Sequence, residues 1–469
     1  MKKIIRTFIP LVSLLMGGPV FAVEGGSFGD PGAADLFMPA QPEIPARTFV
    51  VTDFGVVGDA VTMNTDGFHE AIDAVAKAGG GTLEVPPGVY LTGHIELCSS
   101  LNLHLQRGAT LLFAPPKELS YAGDFLPALL SADQVHDLEI SGEGTIDGSG
   151  DAWWPAVHTS MHGKGPRPGR PHMIIIDHCA RLRVEGVTLT HSPAFDLVPK
   201  HSQDVTIDGI YIYNPAPDYP TDYGVDPLVF KQKMMHDFDV ESPNTDGIDP
   251  SICQRVLITH CKIDTGDDCI AIKANPGAVT EDIVIRDCLL LHGHGCTVGS
   301  GSAGGLRNMV VQHCTFRGTE SGVNLESARD RGSAIMENII FRDLTMENVG
   351  DAIMISDFYP TGARPYRNKN AGDLPDGGHG EPQAITSTTP CWHHVQISNI
   401  RATCYWEAGM ILGLPEKPID GLVLANLDIE APHGLRISYA TNVALHHVDV
   451  RVKTGDPITI YDTVTNVVR

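Results

Sequence analysis

From Gly81 onward the chain repeats one phrase: a three-residue apolar or alternating run, a short turn, then another run. Leu182-Arg183-Val184, Val205-Thr206-Ile207, Val256-Leu257-Ile258, Ile283-Val284-Ile285 and Met309-Val310-Val311 are instances. Ile339-Ile340-Phe341, Val395-Gln396-Ile397, Leu422-Val423-Leu424 and Val443-Ala444-Leu445 continue the series, and most follow an Asn, Asp or His. Period-two alternation with β-branched residues marks strands, and a repeat of this length is the circumference of one solenoid coil. The pattern predicts an all-β, single-stranded, right-handed parallel β-helix of about ten coils, in which each strand–turn–strand coil is its own crossover. One segment breaks the period. Phe68, Ile72 and Val75 share a helical face between a capping position near Thr65 and the stop Gly79-Gly80-Gly81, so one amphipathic helix is predicted to cover the open N-terminal end of the solenoid.

Composition adds compartment and charge. With 49 glycines and 33 prolines in 469 residues, the chain suits one elongated, turn-rich domain over residues 23–469. Residues 1–22 carry Lys2, Lys3 and Arg6, an apolar run from Phe8 to Met16 and then Val20-Phe21-Ala22. That is a signal peptide pattern, and the run falls far short of the roughly 20 residues that span a bilayer. A secreted or periplasmic protein is expected. The net charge is −24, or −27 without the leader's three cations, which argues against nucleic acid and against anionic membranes as partners. A polyanionic substrate then needs a local basic patch, for which Lys164, Arg167 and Arg170, Lys231 and Lys233, and Arg364, Arg367 and Lys369 are candidates. The ten cysteines include Cys261, Cys288 and Cys314 at spacings of 27 and 26, and Cys269 and Cys296 at 27. Stacked thiols have parallel Cβ vectors, which favours free buried cysteines over disulfides. Metal spacing of the paired CxxC type is absent. Two inserts, Tyr213 to Asp239 and Asp357 to Thr389, exceed a plain turn, and the first is placed to wall a cleft.

The chemistry lies in three short segments, Asn244-Thr245-Asp246, Gly266-Asp267-Asp268 and Gly293-His294-Gly295, in which Asp246, Asp268 and His294 are spaced by 22 and 26 residues. Coiling at that period stacks Asp246, Asp267, Asp268 and His294 on one face at rungs about 4.8 Å apart. Crowded carboxylates push one another's pKa values apart, which supplies an acid and a base and points to a glycosidase. Asp267 and Asp268 can both face the groove only where the strand ends or bulges. Lys273, two positions past Ala271, is within reach of a groove aspartate or a substrate carboxylate.

These motifs resemble glycoside hydrolase family 28, the polygalacturonases and rhamnogalacturonan hydrolases. The resemblance runs from Asp53-Phe54-Gly55 through Gly144-Thr145-Ile146-Asp147-Gly148, Trp153-Trp154 and Ser192-Pro193 to Asn244-Thr245-Asp246-Gly247. It continues in Gly266 to Lys273 and in Gly293-His294-Gly295 with Gly299-Ser300. It implies that Asp267 is the general acid, that Asp246 and Asp268 hold and activate water in an inverting reaction, and that His294 tunes the acid. Asn244, Lys273, Asn324, Glu326 and Arg329 are the expected substrate contacts. The expected substrate is a pectic polysaccharide cut at α-linked galacturonate, by a monomer without cofactor or metal. One departure matters: polygalacturonases place Arg-Ile-Lys where this chain has Asn324-Leu325-Glu326. An amide and an anion there suit a neutral leaving-side sugar such as rhamnose, while Arg329 and Arg331 just downstream offer charge from the turn. Two rivals share the fold. A pectate lyase would use a basic residue, often with calcium, and a non-catalytic polysaccharide-binding β-helix would not need the acid cluster.

Overall fold

The computed structural model describes residues 38–115, 126–161, 163–214, 242–276, 278–299, 301–333, 335–359 and 381–469. The expected signal peptide, most of the insert from Tyr213 to Asp239, residues 360–380 of the insert from Asp357 to Thr389, and Lys231, Lys233, Arg364, Arg367 and Lys369 lie outside them. Every strand-to-strand pairing in the solenoid sheets is parallel, and each strand pairs with its counterpart one coil away. On the face that carries the site, one inward column runs Ile95, Leu130, Ile174, Leu197, Ile248, Ile270, Cys296, Val323, Ile353, Gly409, Leu435, Ile458. That column counts twelve rungs, extending past the coils that the repeated phrase picks out. Such columns fill the bore with a continuous apolar core, and the apolar area removed from water in each coil is what holds a solenoid together.

The helix α1 (Thr65–Lys77) buries Phe68, Ala71, Ile72 and Val75, as the amphipathic pattern requires. Its start is fixed by side chains used indirectly. Asn64 Oδ1 accepts from Val57 N at 2.7 Å and Thr65 Oγ1 accepts from Gly93 N at 2.7 Å, tying the helix to the first coils. A second helix, α2 (Trp154–Met161), was not legible in the pattern; Trp154 anchors it by donating Nε1 to Ser192 O at 3.0 Å.

The residue before each repeated strand has a common conformation. Arg181, Asp204, Arg255, Asp282, Asn308, Asn338, His394, Gly421 and Asn442 all have φ between 52° and 75°. This left-handed corner turns the chain into the next wall, and Asn, Asp, His and Gly adopt it at least cost. Because every coil turns at the same place, these side chains stack. Arg181 grips Asp137 through Nε and Nη2, both at 2.6 Å, and Arg255 grips Asp204 at 2.7 and 2.8 Å. Asn308 donates to Asp282 at 2.9 Å and Asn338 to Asn308 at 3.2 Å.

All ten cysteines are free, and eight are buried. Cys261, Cys288 and Cys314 stack on successive rungs, whereas Cys269 precedes the residue paired with Cys296 and so falls one position out of register. No helix among the described residues is long and apolar enough to cross a membrane.

Candidate active site

Three rungs of one sheet face bring the predicted segments together. The backbone of Asp196 donates to Asp246 O, and Gly247 N donates to Asp268 O, each at 2.8 Å, and Cys269 N donates to Gly295 O at 3.0 Å. Asp246, Asp268 and His294 therefore occupy neighbouring rungs. Asp267 and Asp268 lie between the strands Lys262–Thr265 and Ile270–Ile272, so no pleat forces them to opposite faces. A glycine is required at position 293: its φ is 56°, and an added Cβ would stand 2.2 Å from Asp267 O.

His294 is the hub. Its Nδ1 lies 3.1 Å from Asp267 Oδ1 and 3.5 Å from Asp268 Oδ1, and its Nε2 lies 3.3 Å from Glu320 Oε2. Burial alone would pull the imidazole pKa down, but Asp267 and Glu320 outweigh it and hold the value at about 10. The same contact works the other way on Asp267. Burial pushes its pKa up, yet the His294 cation and its hydrogen bond, with help from Lys273, bring it to about 2. These two groups form an ion pair. Asp267 also accepts from Asp268 N at 2.9 Å and from Asn244 Nδ2 at 3.2 Å.

Asp246 is treated oppositely. Burial, then repulsion from Asp267 and Asp249, drives its pKa well above the ordinary carboxylate range despite Lys273. Lys273 bridges Asp246 Oδ2 at 2.9 Å and Asp249 Oδ2 at 2.5 Å, and its ammonium stands 4.0 Å from the centroid of the Phe195 ring. Burial also raises Asp249, to about 6. The second oxygens of Asp246 and Asp249 are buried with no hydrogen-bond partner.

Downstream, Asn324 donates to Thr297 Oγ1 at 3.0 Å and Thr297 donates to Asp268 Oδ1 at 2.7 Å, a relay that orients Asp268 from two rungs away. Asn324 and Glu326 are both buried. Arg329 is tied elsewhere: its Nε and Nη2 grip Glu416 at 2.7 and 2.5 Å. That pairing departs from the expectation that Arg329 lends its charge to the groove, because a bidentate carboxylate neutralises the guanidinium locally. Arg331 is exposed beside Asp330. Upstream, Arg167 and Arg170 both donate to Asn244 Oδ1, at 3.0 and 2.8 Å, and Arg170 also donates to the carbonyls of Pro193 and Pro243. Burial and the neighbouring Arg167 lower the Arg170 pKa to about 10. Two cations of the first candidate patch thus sit beside the acids.

Glu320 and Asp249 were missed by sequence reasoning. Glu320 follows His294 by 26 residues, the period already in use, so extending the column one rung would have found it. Asp249 carries no such signal, since alternation along a strand places it only once the register is known.

The profile of the Glycosyl hydrolases family 28 matches residues 77–376. A probable polygalacturonase of Vitis vinifera is 29% identical over 411 residues, covering 82% of this chain and 74% of that one. One from Arabidopsis thaliana is 32% identical over 390 residues, covering 81% and 73%. Among solved structures, a hyperthermoactive exopolygalacturonase from Thermotoga maritima superimposes with a TM-score of 0.67 at 26% identity, covering 88% of this chain and 95% of the other. A polygalacturonase from Erwinia carotovora shares the fold, with a TM-score of 0.62 at 22% identity over 92% and 98%. A parallel β-helix with a column of carboxylates around one imidazole is the framework of a polysaccharide-cleaving hydrolase. The chain belongs to glycoside hydrolase family 28.

Proposed function

We propose that this hydrolase is exported and cleaves α-linked galacturonate in pectin with inversion of configuration. The observation that carries this reading is the convergence of Asp267, Asp268 and Asp246 on consecutive rungs around His294 and Lys273. An inverting glycosidase needs one group that gives a proton to the leaving oxygen and one that takes a proton from water on the other side of the ring. Asp267 is the donor, recharged from His294, whose imidazolium holds a proton 3.1 Å away. Asp268, held by Thr297, and Asp246, whose Oδ1 has no hydrogen-bond partner, hold the water. The proton that leaves the Asp267–His294 pair for the glycosidic oxygen is matched by the one that Asp246 or Asp268 takes from the attacking water, so the total charge of the groove is conserved over the step.

Charge is distributed unevenly along the groove. Arg167 and Arg170 stand on the upstream side at Asn244, while Asn324 and Glu326 stand downstream and Arg329 is occupied by Glu416. A uronate carboxylate is therefore favoured upstream and a neutral leaving-side sugar, such as rhamnose, downstream. Digestion of homogalacturonan beside rhamnogalacturonan tests both parts. Proton NMR of the first product should show the inverted anomer, and the rhamnose-containing polymer should be cut faster. Products that absorb in the ultraviolet through a new double bond would mean a lyase and would end this reading. Faster cleavage of homogalacturonan would remove only the leaving-side preference.

A further inference from the structure

A second cluster of ligand-type side chains lies upstream on the same sheet. The strands Leu130–Asp133, Ile174–Asp177 and Leu197–Lys200 stack in register, with Asp133 opposite Asp177. Each is followed by a left-handed corner residue, and at two of the three coils that residue is a histidine: His178 has φ 49° and His201 φ 45°. The repeated corner places the two rings one above the other, 4.6 Å apart and within 19° of parallel. Both turn Nδ1 to one oxygen, Asp177 Oδ1, at 3.0 Å from His178 and 2.6 Å from His201. His178 Nδ1 is also 3.2 Å from Asp133 Oδ1.

We propose that Asp177, His178 and His201 bind one divalent transition-metal ion such as zinc, with water completing its shell. Ligands about 2.1 Å from an ion sit roughly 3.0 Å apart in octahedral and 3.4 Å apart in tetrahedral arrangements. The two imidazole nitrogens lie 3.0 and 2.6 Å from Asp177 Oδ1 and the three ligand atoms fall within 4.8 Å of one another, so an ion can enter with little rearrangement. Two imidazole nitrogens select zinc, nickel or copper over calcium and magnesium, which prefer oxygen. His178 and His201 are 55% and 39% exposed, which leaves a path for the ion and room for water to complete its shell. The catalytic trio Asp267, Asp268 and His294 also has ligand atoms close together. There, however, Lys273 acts on both Asp267 and Asp268 and Arg170 faces Asp267, and these cations oppose a metal. The upstream cluster is placed to clamp two neighbouring coils, so occupancy adds to stability without touching the acids.

Chelator-treated full-length protein titrated with zinc chloride in a calorimeter provides the test, alongside His201→Asn and Asp268→Asn. Asparagine tolerates the left-handed corner, so His201→Asn should fold; unchanged circular dichroism and unchanged basal hydrolysis confirm it, and His178→Asn is the substitute if it does not. Wild type and Asp268→Asn should each bind one equivalent and melt at higher temperature with zinc. In His201→Asn the affinity should fall at least tenfold, and X-ray absorption of the wild-type complex should show two imidazoles. No saturable binding to wild type, full binding retained in His201→Asn, or binding lost in Asp268→Asn would each overturn the site.

Discussion

Two stacks of charged side chains run along this solenoid, built by the same repeat but with opposite electrical outcomes. At the corner, Asp137, Arg181, Asp204, Arg255 and Asp282 follow one another rung by rung. The signs alternate, each arginine grips an aspartate below it, and the Arg255 contact holds Asp204 below the ordinary carboxylate range. In the groove, Asp246, Asp267 and Asp268 crowd together with one imidazole, and Asp246 is driven upward while Asp267 is driven down. Stacking by itself is therefore neutral. Alternating signs make a stack that stabilises the fold, whereas repeated signs make one that stores a transferable proton.

The largest separation of the two stacks should come from Asp267→Asn. Removing the general acid should lower kcat by about 10³-fold or more, with circular dichroism and melting temperature nearly unchanged, because loss of the Asp267–His294 ion pair is offset by relief of the repulsion that Asp267 exerts on Asp246. Asp204→Asn should do the reverse. Its bidentate bond to Arg255 is lost in a half-buried setting, so unfolding free energy should fall by about 1–3 kcal/mol, read in a denaturant titration, while kcat stays within twofold of wild type. A large kcat loss in Asp204→Asn, or a large stability loss in Asp267→Asn, would merge the two classes.

The solenoid was legible because its signals are local and periodic. Asn308, Asn338 and Asn442 announce the corner, and the runs that follow them announce the strand. Arg181 and Arg255 occupy the same corner but do not favour it, so sequence reasoning cannot recognise them as corner residues; their reason is charge pairing across the rung, which needs the register. The catalytic column was legible for the same reason as the fold, since Asp246, Asp268 and His294 keep the coil period. Side-chain partners were legible only in part. Lys273 was expected to reach a groove aspartate and holds Asp246, but its second grip on Asp249 needs the register. That Arg170 would reach Asn244 and that Glu416 would claim Arg329 across 87 residues depends on loops and distant coils whose placement no local pattern encodes.

The smallest expected effect concerns Glu320, which acts on the groove through His294 rather than on substrate. Its carboxylate is one of three anions that raise His294 to about 10, second to Asp267 and ahead of Asp268. A raised histidine pKa contributes stability that is fully present below the unfolded value of about 6.5 and is lost as pH rises through about 10. Glu320→Gln keeps the shape and removes the charge, so the His294 pKa should drop and the loss should be complete at lower pH. Melting temperatures measured from about pH 6 to about pH 10 should fall earlier in the variant than in wild type. In the same variant the alkaline limb of the kcat profile should move to lower pH, because the imidazolium that recharges Asp267 disappears sooner, while kcat at the optimum should change by less than about tenfold. A structural role for Glu320 alone would lower the melting temperature equally at all pH values and leave the alkaline limb in place. Only an electrical role moves both curves along the pH axis together.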